Sequence, residues 1–293
     1  MSPAESTPAA APADAPAAGA AGSAAPAAGP AAPGLIQRGS RQPLVVDVWS
    51  DVVCPWCYVG EGRLEQAIQE AGLAGKVQVR THSFELDPSA PTRAEERAAG
   101  SSPTNVDHLM AKTGRGADEV RGMEEQIAQL ARELGRDYAL ERPVASTRPA
   151  HRLLQAVRTA AGEDAAKDFF LSLQRGYFRG ELDPFEDDVL VEHAVAAGLD
   201  EAAAREVLAS DAHDAEVDEE VRAAVEMGAR GVPFMVLGDA YAAPGALPVE
   251  ALRGALEELG RARGLLGEDG APSASGGPTG IVGGEACGVD GNC

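Results

Sequence analysis

Leu44-Val45-Val46-Asp47-Val48-Trp49 is a short run rich in β-branched residues, and it ends five residues before the first cysteine of Cys54-Pro55-Trp56-Cys57. The run predicts a buried strand. From Cys54 to about residue 71 the pattern turns helical, with Leu64, Ala67, Ile68 and Ala71 on one face. Lys76-Val77-Gln78-Val79-Arg80 then alternates as a second strand does. Strand, helix, strand in that order favours a parallel βαβ unit, with the cysteines where the first strand hands over to the helix.

That placement has a chemical purpose. A helix N-terminus presents free backbone N–H groups and the positive end of the helix dipole, so an anion is favoured there. A thiolate is the species that attacks a disulfide. Cys54 is therefore expected to be the nucleophile. Cys57 lies three residues on, one helical turn away, and is expected to resolve the mixed disulfide that Cys54 forms. Pro55 falls in the first turn, where a missing N–H costs least. Zinc knuckles share the spacing, but a zinc site needs a second Cys or His pair. The five histidines show no ligand spacing, and the other two cysteines, Cys287 and Cys293, lie far off. The expectation is a redox-active Cys54–Cys57 disulfide, with no metal and no bound cofactor.

A long stretch from about 92 to 229 follows, with helical patterns around 104–112, 117–134, 149–160, 164–178, 187–197, 201–208 and 213–228. Pro233-Phe234-Met235-Val236-Leu237 reads as a strand, and Gly238-Asp239 as a two-residue hairpin turn into Ala240-Tyr241-Ala242. A final amphipathic helix is expected from about 248 to 262. The fold class is thus α/β, with the order β-α-β, helical block, β-β-α. The two halves of the α/β part are 41–90 and 230–263, and an inserted helical domain covers 91–229. Residues 1–40 are Ala, Pro and Gly with almost no bulky side chains. They cannot bury enough apolar surface to offset their ordering entropy, so a disordered tail is expected. Residues 264–293, Gly-rich and ending in the second cysteine pair, are expected to be a flexible tail.

A proline that begins a core strand removes a ladder hydrogen bond. In Gly231-Val232-Pro233-Phe234, a cis Val232–Pro233 bond facing the cysteines would account for it; a trans proline at a strand edge is the alternative, disfavoured beside the Cys-x-x-Cys. Such a bond would leave the Val232 backbone free to pair with an extended substrate segment, with the Pro233 ring beside the sulfurs.

The formal net charge of −21 argues against nucleic acid and anionic membrane surfaces as partners. Four cysteines in 293 residues are too few for a disulfide-built scaffold, and no apolar run has membrane-spanning length. Met1-Ser2-Pro3-Ala4-Glu5 lacks the positive charge and apolar segment of a secretory signal. A cytoplasmic location is expected, where an accessible cysteine pair stays reduced or cycles.

The chain resembles the DsbA-like thioredoxin superfamily, and within it the FrnE-type branch. The resemblance is carried by Asp47 through Gly60, Phe84-Glu85-Leu86-Asp87-Pro88, Ala150-His151-Arg152-Leu153, Gly231 through Val236, and Tyr241 through Gly245-Ala246. It implies a thioredoxin-like fold with a large all-helical domain inserted between the βαβ and ββα halves, a cis proline, and dithiol–disulfide exchange. The substrate it implies is a thiol- or disulfide-bearing protein or small molecule, with glutathione or a dithiol reductant as co-substrate, and the protein a monomer or homodimer. Related 2-hydroxychromene-2-carboxylate isomerases and kappa-class glutathione transferases typically carry serine at the first cysteine position. Having both Cys54 and Cys57 favours redox chemistry over glutathione-dependent isomerisation. A redox-responsive chaperone or binding module is the non-catalytic alternative.

Thioredoxin-like proteins often bury an acid near the resolving cysteine to handle its proton. Asp47 would serve if its side chain faced the sulfurs; otherwise it is an acid at the strand's solvent-facing end. Asp51 is nearer but falls in the loop. Trp56 is expected to shape the exposed surface that receives substrate, together with Val232 and Pro233. Tyr58 is expected to pack where helix meets sheet. His151 is either structural or lines the cleft between the two domains. Glycines within the last seven residues allow a Cys287–Cys293 disulfide. That pair is an accessory redox pair relaying electrons to Cys54 and Cys57, a soft-metal scavenger, or an inert tail.

Overall fold

The computed structural model describes residues 42–267 and 284–288. In chain order, β1 (Leu44–Ser50), α1 (Pro55–Glu70) and β2 (Val77–Ser83) come first. Eight helices follow: α2 (Arg93–Ala98), α3 (Asn105–Thr113), α4 (Ala117–Glu133), α5 (Arg148–Ala161), α6 (Glu163–Arg179), α7 (Asp187–Ala196), α8 (Glu201–Ala209) and α9 (Asp214–Glu226). Then come β3 (Gly231–Val232), β4 (Phe234–Leu237), β5 (Tyr241–Pro244), α10 (Val249–Ala262) and β6 (Cys287–Gly288).

The main sheet has the order β2-β1-β4-β5. β1 and β2 are parallel, from Leu44 opposite Val77 to Ser50 opposite Ser83, so α1 is the crossover of a βαβ unit. β4 runs antiparallel to β1, with Val46 opposite Leu237 and Trp49 opposite Phe234, and β5 antiparallel to β4. The turn between β4 and β5 uses Gly238 at φ 61° and Asp239 at φ 60°, the left-handed pair that a type I′ hairpin turn requires. The Ala240 N–H donates to the Leu237 carbonyl to close it, at 3.1 Å.

Alternation along β1 separates two faces. Leu44, Val46 and Val48 are fully buried against Leu64 and Ala67 of α1 and Leu252 and Leu256 of α10. Each such large side chain stabilises by about 2 kcal/mol on burial. Trp49 points the other way and packs with Phe84, Phe234 and Ala224 of α9. The helical block has its own core, built from Leu153, Leu154 and Val157 of α5, Phe169 and Phe170 of α6, and Leu190 of α7. Val52, from the loop between β1 and α1, inserts into this second core. The loop that leads to Cys54 is therefore anchored in the helical block as well as in the sheet.

Two elements depart from the expected pattern. β2 runs on to Ser83, and α2 is an added helix of six residues, capped by Thr92 and Glu95. Six residues are too few to show a helical period. The expectation of a flexible tail over 264–293 is corrected where the structure describes it. Leu265 is buried in the core formed with α10, and residues 284–288 dock on the folded body with β6 antiparallel to β3. The expectations for 1–40, and for the tail over 268–283 and 289–293 with Cys293, lie outside the described residues.

Candidate active site

Cys54 is the N-cap of α1, with Pro55 opening the first turn. The Cys57 N–H donates to the Cys54 sulfur at 3.3 Å, and the Cys54 N–H donates to the Asp51 carbonyl at 3.2 Å. The Cys54 thiol in turn donates to the Val232 carbonyl at 3.6 Å. The Val232–Pro233 peptide bond is cis. Both cysteines are free thiols and fully buried, in a cluster with Trp49, Phe84, Val232, Phe234 and Cys287.

Burial pushes the Cys57 thiol well above its ordinary range, and the neighbouring Cys54 adds to the effect through a hydrogen bond and its charge. The Ser50 side chain and the Asp51 backbone act in the opposite direction and favour the thiolate. Asp47 sits elsewhere. Its Oδ1 is 2.8 Å from His82 Nε2 and 3.8 Å from Arg80. The other ring nitrogen of His82 is 2.7 Å from Glu220 of α9, and the ring stacks on Trp49 at 4.5 Å. Burial opposes a charge on His82, but the two carboxylates outweigh it and raise its pKa. Asp47 thus belongs to a charged cluster joining β1, β2 and α9.

The loop acid Asp51 turns inward and is 1 % exposed. Its Oδ2 accepts the Leu86 N–H at 2.8 Å, and its Oδ1 lies 3.4 Å from Nε2 of His151, which is fully buried on α5. Gln174 of α6 donates to the Asp51 carbonyl at 3.3 Å. The helical block therefore holds the loop before Cys54 through His151, Gln174 and Val52. Trp56 is half-buried. Tyr58 stacks on Phe178 of α6 at 4.6 Å and donates to the Asp137 carbonyl at 3.0 Å. It packs against the helical block and not where helix meets sheet, as expected from sequence, because its position on α1 turns it away from β1.

The Val232 backbone, expected to be free, is occupied. Val232 pairs with Cys287 and Gly231 with Gly288, in antiparallel register. The Gly284 N–H donates to the Pro244 carbonyl at 2.7 Å, and the Ala246 N–H to the Glu285 carbonyl at 2.6 Å. A Cβ on Gly231 would strike the Cys287 carbonyl, and one on Gly245 the Gly284 carbonyl. These contacts explain glycine at both positions and carry no sequence signal of their own. Cys287 is buried and disulfide-bonded; Cys54 and Cys57, being free, are not its partners. Beside Pro55 a cleft opens, lined by Val53, Leu86, Leu109 and Val144 with Asp51 and His108 among its polar groups. Among the described residues no group of three or more His, Cys, Asp or Glu is placed to hold a metal ion, and no helix is long and apolar enough to cross a membrane.

Residues 45–257 match the model of the DSBA-like thioredoxin domain family. Among solved structures, the chain is similar to a probable DsbA oxidoreductase from Streptomyces coelicolor at 34 % identity and a TM-score of 0.65, over 82 % of this chain and 98 % of that one. It shares its fold with a 2-hydroxychromene-2-carboxylate isomerase at 20 % identity and a TM-score of 0.55, over 76 % of this chain and 100 % of that one. It also shares it with the cytosolic disulfide reductase DsbM from Pseudomonas aeruginosa at 18 % identity and a TM-score of 0.50, over 75 % and 100 % of the two chains. No curated protein matches the sequence.

Proposed function

The chain belongs to the DSBA-like thioredoxin domain family, and from that premise we propose that it is a thiol–disulfide oxidoreductase of the FrnE type, exchanging disulfides through Cys54 and Cys57. One observation carries the reading: the Cys54 sulfur caps α1 and accepts the N–H of Cys57, whose own thiol lies one turn inside the helix. A thiolate at Cys54 meets backbone N–H groups and the helix dipole. It attacks one sulfur of the substrate disulfide. The Cys54–substrate bond forms, the substrate S–S bond breaks, and the departing sulfur takes a proton. Cys57 then loses its proton and attacks the Cys54 sulfur, which closes the Cys54–Cys57 disulfide and releases the second substrate thiol. The substrate gains two electrons and two protons, and the cysteine pair loses them. Two glutathione molecules, or one molecule of a dithiol reductant, reset the pair and are themselves oxidised to a disulfide, and the reverse sequence oxidises a dithiol substrate.

In this reading Trp56, Val232 and Pro233 form the surface that receives a thiol- or disulfide-bearing protein or small molecule. Cys287 is an accessory redox sulfur with Cys293 as its partner, a role supported by its burial beside both catalytic sulfurs. Residues 41–90 and 230–263 form the catalytic half, and 91–229 the helical insert that closes over it. Replacing Cys54 with Ser is expected to abolish dithiothreitol-driven reduction of insulin, and replacing Cys57 with Ser to accumulate a covalent mixed disulfide with the substrate. Full insulin reduction by the Cys54→Ser protein overturns the reading.

A further inference from the structure

The backbone of Val232 is the edge on which an extended substrate would pair, and a segment of the same chain already lies on it. Two separate stretches of backbone, 231–232 and 244–246, grip residues 284–288. Between them they hold a five-residue segment, through a bridge at Glu285 and the two-residue strand β6. The residue opposite Val232 is a cysteine, and it is buried in the same apolar cluster as Cys54 and Cys57. Such main-chain pairing along an edge, with side chains read alternately, is how an added strand is recognised.

One side chain beside this strand is charged and held in place. Arg63 of α1 donates to the Ala246 carbonyl at 2.5 Å, and its guanidinium lies 3.6 Å from the carboxylate of Glu285. Its side chain is only 14 % exposed, so it is positioned before any partner arrives. Glu285 stands two positions before Cys287.

We propose that residues 284–288 are a tethered occupant of the substrate strand, and that Arg63 is a specificity-determining residue that reads an acidic side chain two positions before the substrate's cysteine. The inference rests on the assignment of Cys54 as nucleophile made above. While the segment is docked, Cys54 is fully covered. A tethered segment competes at an effective concentration on the order of millimolar. A protein substrate therefore reaches Cys54 only by displacing it, and those whose sequence satisfies Arg63 displace it best.

Two variants of the full chain test this without altering Cys54 or Cys57. A Cβ on Gly284 would run into the Ala246 and Leu247 backbone, so Gly284→Val undocks the segment. Glu285→Lys sets like charges against each other at Arg63. The probes are the oxidised dimers of the peptides Gly-Glu-Ala-Cys-Gly and Gly-Lys-Ala-Cys-Gly, with dithiothreitol as reductant. Bis(2-hydroxyethyl) disulfide is the control that carries no strand. Gly284→Val is expected to speed iodoacetamide alkylation of Cys54, and to lower KM for the glutamate peptide, by roughly tenfold each. In that variant the glutamate peptide is preferred over the lysine peptide by about two- to fivefold in kcat/KM, the scale of a partly exposed ion pair. Adding Arg63→Glu inverts the preference. Arg63→Glu combined with Glu285→Lys restores slow alkylation in the otherwise unaltered chain. Wild-type alkylation and KM in both Gly284→Val and Glu285→Lys overturn the tethered occupant. Equal turnover of the two peptides, or a preference that survives Arg63→Glu, overturns the role of Arg63. Failure of every variant to reduce bis(2-hydroxyethyl) disulfide overturns instead the assignment of Cys54 and Cys57.

Discussion

Cys57 must give up a proton before it can close the Cys54–Cys57 disulfide, yet burial and the adjacent Cys54 hold that proton on. The Ser50 side chain and the Asp51 backbone are the groups that work the other way. The Ser50 hydroxyl is buried without a hydrogen-bond partner, so it is free to donate to the Cys57 thiolate when that forms; a hydrogen bond of this kind contributes about 1 kcal/mol, which corresponds to roughly a fivefold change in the thiolate population. Replacing Ser50 with Ala is therefore expected to slow resolution of a Cys54–thionitrobenzoate mixed disulfide by about fivefold at neutral pH. The pH profile of that step should move to higher pH, while the rate at which Cys54 first attacks the reagent stays the same. An unshifted profile would show that Ser50 does not act on Cys57. The placement of Cys54 and Cys57 at the start of α1 was legible at this scale because it is local: strand, turn and helix N-terminus adjoin in sequence. Their neighbours were not. Asp47 was the acid that chain position suggested, but β1 pairs with β2 so that Asp47 meets His82, and that register is invisible in the run 44–49. Asp51 read as a loop acid because His151, which faces it, lies 100 residues further on.

At the scale of elements, α1 combines the N-terminus that Cys54 caps with a buried acid. Glu61 is 2 % exposed, and one of its carboxylate oxygens has no hydrogen-bond partner. Burial raises its pKa to about 7, against the opposing pull of Arg136. Between its ordinary value of 4.5 and about 7 the folded chain keeps a proton that the unfolded chain has released. Glu61 therefore costs stability progressively as pH rises through that window, and the full cost is present above it. Glu61→Gln is expected to raise Tm by a few degrees at pH 8 and to leave it unchanged at pH 4. Equal melting temperatures at pH 8 would contradict the assignment. Nothing in the periodicity of α1 marks Glu61 as buried, because the face it occupies is covered by the helical block and not by the sheet. The apolar face of Leu64 and Ala67 was legible for the opposite reason, since the sheet it covers is coded by the adjacent alternating strands. β6 shows the limit of such reading. Two residues, one of them Gly288, have no period, and the strand forms where Gly231 and Gly245 let another backbone approach.

At the scale of the whole molecule, one carboxylate gathers contacts from both the sheet and the helical block. Glu220 of α9 is bonded to the His82 ring at 2.7 Å, accepts the Ser83 N–H at 2.6 Å, and receives Gln155 at 2.5 Å and Arg158 at 3.0 Å from α5. Its backbone carbonyl accepts the Trp49 indole N–H at 3.0 Å. One residue thus ties β1, β2, α5 and α9, which links the sheet to the helical block. Burial works against a charge at Glu220, but the His82 hydrogen bond and charge, with Arg158 and the Ser83 N–H, hold its pKa down at about 2. Its contribution is complete above the ordinary 4.5 and is lost as pH falls toward about 2. His82 behaves oppositely: its pKa is raised, so its contribution is complete below 6.5 and is lost as pH rises through the folded value. The joint is therefore strongest between the two ordinary values, 4.5 and 6.5. Glu220→Gln is expected to cost on the order of 3 kcal/mol in that window. The gap in Tm between variant and wild type should narrow as pH falls toward 2.5, where the wild-type carboxylate is itself becoming protonated. Amide exchange in β2 should accelerate in the variant before exchange in β4, because α9 and α5 release the β2 edge while α1 and α10 still cover the other face. A Tm gap as wide at pH 2.5 as at pH 5.5 would mean that Glu220 acts through packing alone, and that the sheet and the helical block are held together by their apolar contacts.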